Sequence, residues 1–192
     1  MATIQILNRK TLADKVYPLQ YISFQKPDTN GKLPPQENEV YFRPNAVAVL
    51  LVDEKAGQFL LARQFRLPTF LNGSDSGYLL ETFAGLINES ETPEQAAVRE
   101  VKEEAGYDID VPKKVGAVYT SAGGVTEYLH LYISAIDLNA PKEEGGGVEL
   151  EGEDIELQAV SIAEVKEQLA QGSIRDAKTM ILLQHYFLNG LG

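Results

Sequence analysis

The chain contains no cysteine and no tryptophan, and its only histidines are His130 and His185. Without thiols there is no disulfide framework, and two imidazoles are too few for a zinc or copper centre built on nitrogen and sulfur. Cations are scarce as well: 17 Lys and Arg stand against 28 Asp and Glu, for a net charge of −11. No basic run occurs, so nucleic acid and anionic membranes, both bound through clustered cations, are excluded as expected partners. Long hydrophobic runs are also missing. The longest, AVAVLLV at 46–52, is far short of the roughly 20 residues that span a bilayer, and MATIQILNRKTL holds no signal-peptide core. The expectation is a cytoplasmic protein. The sequons at Asn72 and Asn88 are read as chance matches in loops.

What is present suffices for one substantial core with a small appendage, since 44% of 192 residues are hydrophobic. Residues 1–43 read as a separate N-terminal β unit. Its strands are expected around Ile4–Asn8, Tyr17–Gln25 and Glu39–Arg43, with a polar turn at Lys26–Glu37. Such a unit is too small to stand alone and should pack on the rest of the chain or on a second subunit. Residues 44–192 form the main domain. NAVAVLLVD and GQFLLARQF read as a central hairpin, PTFLNGSDSG as a loop, and YLLETFAG as a strand leading into an acidic helix. Lys114–Thr120 and Tyr128–Ile136 read as strands on either side of SAGGVTE, and IELQAVS as another. Helices are expected from Ile162 to Ala170, capped by Ser161, and from about Arg175 to Leu188. Strands and helices mix without a βαβ rhythm. The predicted fold class is therefore a mixed α/β arrangement, a mixed sheet between helices in three layers.

The acidic helix is the most informative stretch, GLINESETPEQAAVREVKEEAGY at 85–107. Thr92 is a good N-cap, Pro93 suits the first helical position, Gln95 completes a capping box, and Gly106 supplies the stop. At about 100° per residue, Val98, Val101 and Ala105 make an apolar stripe, Glu100, Glu103 and Glu104 share an adjoining face, and Arg99 and Lys102 point elsewhere. Like charges at these spacings repel by roughly 0.2–0.5 kcal/mol per pair. The C-terminal end of the helix dipole disfavours each by roughly a further 0.3–1 kcal/mol. The face costs stability unless something cationic sits against it. Carboxylate oxygens suit a hard divalent ion, Mg²⁺ with Mn²⁺ as the alternative. For an arbitrary run of glutamates, a solvated acidic helix face softened by Arg99 and Lys102 would be the better reading.

The spacing narrows the choice. The pattern G-x5-E-x7-R-E-U-x-E-E-x-G-U, U being bulky and apolar, is met at Gly85, Glu91, Arg99, Glu100, Val101, Glu103, Glu104 and Gly106, with Tyr107 last. That resembles the signature of the Nudix hydrolase family. Further segments, among them ARQFR, FLNGSDSGYLLETFAGLI, SAGGVTE, GGGVELEGEDIEL and GSIRDAKT, are similar to its GDP-mannose and ADP-ribose pyrophosphatases. The resemblance implies Mg²⁺-dependent hydrolysis of a nucleoside diphosphate sugar to a nucleoside monophosphate and a sugar phosphate. A nucleotide-sugar sensor on the same fold is the alternative.

By the same resemblance, Ala84 would offer its carbonyl to the metal, and Glu100, Glu104 and Glu153 would be ligands. Glu151 would activate water, with Glu103 the rival base, and Glu127 would be a further catalytic acid. Arg66, Tyr17, Lys178, Gly85 and Leu86 would meet the substrate, and Arg99 would pair with Glu91 to hold the loop before the helix. Composition alone makes the glycine-rich, acidic segment at 142–154 a linker, whereas the resemblance makes it a lid that orders around metal and diphosphate. Glu37 and Asn38 stand where relatives carry a basic pair, and Ala122 where they carry proline, so reaction class is better specified than sugar. A homodimer is expected, with the N-terminal unit exchanged between subunits.

Overall fold

A computed structural model describes residues 4–140, 142–147 and 154–191. The chain divides into two compact units, Met1–Asn45 with Val118–Leu129, and Ala46–Ala117 with His130–Gly192.

In the first unit, β1 (Gln5–Asp14), β2 (Pro18–Gln25) and β3 (Pro35–Tyr41) form an antiparallel sheet in that order. The first strand is longer than its sequence suggests because every residue of it is exposed, so no inward-facing apolar row marks where it runs. Ile6, Leu7 and Leu12 lie open on it. The third begins earlier than expected, at Pro35, opposite Gln25; an edge strand tolerates proline as its first residue. The segment at 121–127 docks on the end of β3: Tyr41 donates its N–H to the Gly124 carbonyl at 2.8 Å and accepts from Thr126 at 3.1 Å.

The second unit is built on β4 (Ala46–Asp53), buried along its whole length, and β5 (Gln58–Phe65). Asp53 closes the turn between them, accepting the Ala56 N–H at 2.9 Å while its other oxygen accepts Leu138 N–H at 2.9 Å. These hydrogen bonds, Leu138's first, hold its carboxyl below the usual range. The sheet as a whole is mixed, in the order β10 (Ile155–Ser161), β5, β4, β9 (Tyr128–Ala135), β8 (Lys113–Tyr119). The two-residue period sends alternate side chains to opposite faces. On one face, Val47, Val49, Leu51, Leu60 and Ala62 pack with Ala96, Ala97, Val101 and Ala105 of the acidic helix. On the other, Phe59 meets Tyr186 and Phe187 edge-on at 5.0 and 6.1 Å. Each fully buried Val, Leu or Phe contributes roughly 1.5–3 kcal/mol, so this sandwich holds most of the unit's stability.

YLLETFAG forms two strands rather than one. β6 (Tyr78–Glu81) pairs with β5 and β7 (Phe83–Leu86) with β4, because those two pair with each other only near their turn, at Leu51–Asp53 with Gln58–Leu60, and then splay. At the crossing, buried Thr82 gives its N–H to Thr179 Oγ1 at 2.7 Å. The expected loop after β5 contains a short helix, α1 (Leu67–Leu71), with Pro68 in its first turn. The acidic helix is α2 (Pro93–Glu100) continued by a π-helical turn, Val101–Ala105; α3 (Ile162–Gln171) and α4 (Ala177–Asn189) follow near the expected positions. Among the described residues, no helix is long and apolar enough to cross a membrane.

Candidate active site

The capping box at the start of α2 is present in full: Thr92 Oγ1 accepts the Gln95 N–H at 3.2 Å, and Gln95 Oε1 accepts the Thr92 N–H at 2.8 Å. The far end stops at Gly106, with φ of 77°. Between them, Ala96 and Ala97 let the helix approach β4 closely, and they, with Val101 and Ala105, are its buried side. Val98, expected in the apolar stripe, is only half-buried, because the alanines lie where the contact is closest.

Glu100 and Glu104 are buried, 8% and 4% exposed, while the side chain of Glu103 is 38% exposed. Glu104 Oε2 accepts the Ala84 N–H at 3.0 Å, which fixes the carboxylate against β7. Beside it, a Cβ on Gly85 would lie 2.0 Å from the carboxyl carbon of Glu100, so any side chain there would push that carboxylate out of place.

The cation this face requires is Arg99, which does not point elsewhere. Its Nε meets Glu91 Oε1 at 2.9 Å, its Nη1 meets Glu100 Oε1 at 2.7 Å and Glu103 Oε2 at 2.8 Å, and its Nη2 meets the Leu86 carbonyl at 2.8 Å. The bond to Glu91, ahead of those to Glu100 and Glu103, pushes the guanidinium pKa further up. In return, Arg99's hydrogen bond holds the Glu91 carboxyl below the usual range. Lys102 does turn away, to Asp108 at 2.7 Å and Glu143 at 2.8 Å.

The chain after β9 returns to the C-terminal end of this helix. Glu143 donates its N–H to the Gly106 carbonyl at 2.9 Å, and Gly146 donates to the Glu104 carbonyl at 2.8 Å. A Cβ on Gly145 would come within 2.6 Å of that same Glu104 oxygen. Glu151 and Glu153 lie outside the described residues.

Arg66 and Lys178 meet at an acid that motif reasoning missed. Glu81, 1% exposed, accepts Arg66 Nε at 2.8 Å and Nη2 at 2.9 Å, and also Lys178 Nζ. Burial pushes this carboxyl up, but the hydrogen bonds and charges of Arg66 and Lys178 outweigh it and hold the group low. The one available signal was an acid in an otherwise apolar strand, which must find a partner when buried. Tyr17 and Glu127 belong to the first unit. There Arg43 lies 5.7 Å from the Tyr17 ring centre and 3.3 Å from Glu127 Oε1.

Among the described residues, no three acidic or imidazole side chains stand together as a group that could hold a metal ion. The donor set nevertheless fits a hard cation in kind. Glu100, Glu103, Glu104 and the Ala84 carbonyl offer oxygen only, and Arg99 already marks where positive charge is accepted.

A strand thus places Gly85 against the buried Glu100, and carboxylates of the helix gather round one guanidinium, at the positions of the signature read from the sequence. Residues 42–183 match the NUDIX domain, and the chain belongs to the Nudix family of hydrolases. Enzymes of this family generally use divalent metal ions. The chain is 40% identical to the GDP-mannose pyrophosphatase of Cronobacter sakazakii over 188 residues, covering 98% of this chain and 97% of that one. It is 38% identical to the GDP-mannose pyrophosphatase of Pectobacterium atrosepticum, covering 97% and 95%. The crystal structure of an ADP compounds hydrolase has the same fold, with a TM-score of 0.70 at 23% identity, covering 99% of this chain and 96% of that one.

Proposed function

We propose that this enzyme hydrolyses the diphosphate bond of a nucleoside diphosphate sugar, GDP-mannose first and ADP-ribose second, with Mg²⁺ and in the cytoplasm. Water adds to one phosphorus of the anhydride and a P–O bond breaks, giving a nucleoside monophosphate and a sugar phosphate. With ADP-ribose these are AMP and ribose 5-phosphate. The observation that carries the reading is the pair of buried carboxylates, Glu100 and Glu104, seated against Gly85 and the Ala84 amide. Buried acids so placed cost stability and are understandable as a receptacle for positive charge.

Glu100, Glu104 and the Ala84 carbonyl, completed by Glu153, would hold the ion. When bound, it supplies charge neutralisation to the phosphoryl oxygens and acidifies water. Among the chain's own groups, Glu151 takes the water proton, with Glu103 as its rival, and Glu127 is an auxiliary acid. Arg66, Lys178, Tyr17, Gly85 and Leu86 orient the substrate. The planar fork of Arg66 suits a diphosphate. The working form is a homodimer, joined through the exposed apolar residues of β1.

A panel of nucleotide sugars assayed with Mg²⁺ and with Mn²⁺ tests the reading. Release of GMP and mannose 1-phosphate, or of AMP and ribose 5-phosphate, is expected. Glu104→Gln should keep the wild-type circular dichroism and lose activity by roughly two orders of magnitude or more. Unchanged turnover in that variant would remove Glu104 from the ion's site, and a panel without products would end the proposal.

A further inference from the structure

Arg66, Glu81, Lys178 and Asp176 form a charged cluster in the second unit with more cationic donors than the cluster consumes. Glu81 takes two N–H groups of Arg66 and one of Lys178. Asp176 Oδ1 adds an ion pair, 3.0 Å from Lys178 Nζ. A guanidinium has five donors and an ammonium three, so both cations keep some in hand. The Arg66 side chain is 41% exposed, whereas Glu81's is only 2% exposed. The acid is thus the fixed centre and the guanidinium the reaching part.

The cluster is itself held rigidly. Asp176 Oδ2 caps α4, accepting the Thr179 N–H at 3.0 Å and its hydroxyl at 2.6 Å. Thr179 in turn accepts the Thr82 N–H, next along the chain from Glu81, at 2.7 Å. Arg66 also lies within the field of Glu104, whose charge joins those of Glu81 and Asp176 in raising its pKa after the Glu81 hydrogen bond. Glu81 and Ala84, whose N–H Glu104 accepts at 3.0 Å, stand on the same β6–β7 stretch, so the cluster borders the carboxylates of the candidate site.

We propose that Glu81 is a positioning residue, aiming Arg66 and Lys178 so that their remaining donors meet the anionic diphosphate; this rests on the reading of the enzyme as a nucleoside diphosphate sugar hydrolase. Two long, flexible cations left unanchored would have to lose their rotamer freedom when substrate binds, and affinity would suffer. Glu81 orders them beforehand. A clamp that merely ties β5 to α4 would use the same hydrogen bonds but would have no reason to couple to substrate affinity.

The test is a double-mutant cycle on the full chain with Glu81→Gln, Arg66→Gln and the two combined. It is read by steady-state kinetics on GDP-mannose and by calorimetric binding of GDP, which needs no turnover. Glu81→Gln should raise KM and the GDP Kd by roughly ten- to hundredfold, the worth of a charge-assisted contact, with kcat changed by less than about threefold. In the Arg66→Gln background the same change should cost at least about fivefold less, because its chief partner is already gone. Multiplicative effects, or a normal GDP Kd in Glu81→Gln, would overturn the proposal. Should Glu81→Gln fail to fold, Glu81→Asp, which keeps the charge but draws it back by one methylene, takes its place in the cycle with the same criteria. If the wild type binds GDP, this binding is weakened by Glu81→Gln with the expected coupling, and no nucleotide sugar is hydrolysed, the functional reading falls while the positioning role stands. If GDP does not bind the wild type while nucleotide sugars are still hydrolysed, the positioning role falls and the functional reading stands.

Discussion

At the scale of the residue, Arg99 carries more of the site than its place in the motif suggests. One guanidinium serves Glu91, Glu100, Glu103 and the Leu86 carbonyl, offsetting the repulsion that its own helix creates. Arg99→Ala should therefore destabilise the protein by roughly 2–4 kcal/mol, as loss of a partly buried ionic hub does. Melting in EDTA and in millimolar Mn²⁺ checks this: the ion should raise the melting temperature of the variant more than that of the wild type, having taken over the missing charge. Equal shifts would mean that Arg99 and the ion do not share a place. That Glu100, Glu103 and Glu104 share a face was legible because spacing on one helix determines which side chains lie together, whereas Gly85 and the Arg99–Glu91 pair lie partly off the helix and followed only from the family resemblance. Glu81 was not legible. Its partners stand 15 and 97 residues away, and local pattern says nothing about which cations arrive from the ends of β5 and α4.

At the scale of the element, the helix start was legible to the residue, since Thr92, Pro93 and Gln95 act through hydrogen bonds that are local in sequence. The π-helical turn at Val101–Ala105 was not, because its winding answers to what packs on it rather than to propensity. The division of YLLETFAG into β6 and β7 was hidden for the same reason: two adjacent strands splay, and the chain changes partner where Thr82 bonds to a side chain instead of a ladder. Thr179→Val tests that junction. It leaves the buried Thr82 amide without its acceptor and should cost roughly 1–3 kcal/mol in urea unfolding, whereas a loss within about 0.5 kcal/mol would show that the junction is held by packing alone.

At the scale of the whole molecule, composition and alternation sufficed for the layered architecture, because buried β4 and amphipathic α2 can satisfy their apolar faces only against each other. The extent of β1 escaped, since an exposed strand leaves no trace in hydrophobic pattern. Those exposed apolar residues, Ile6, Leu7 and Leu12, motivate the homodimer. Light scattering at micromolar concentration should give twice the 21.1 kDa chain mass, and replacing the three with Lys, Glu and Lys should yield the monomer; a wild type that is monomeric throughout would reject it. The guanidinium at the acidic face has one more consequence. A face that carries its own positive charge should stay folded when divalent ions are withdrawn, unlike a zinc finger, which collapses without its ion, so EDTA should leave the wild-type circular dichroism unchanged.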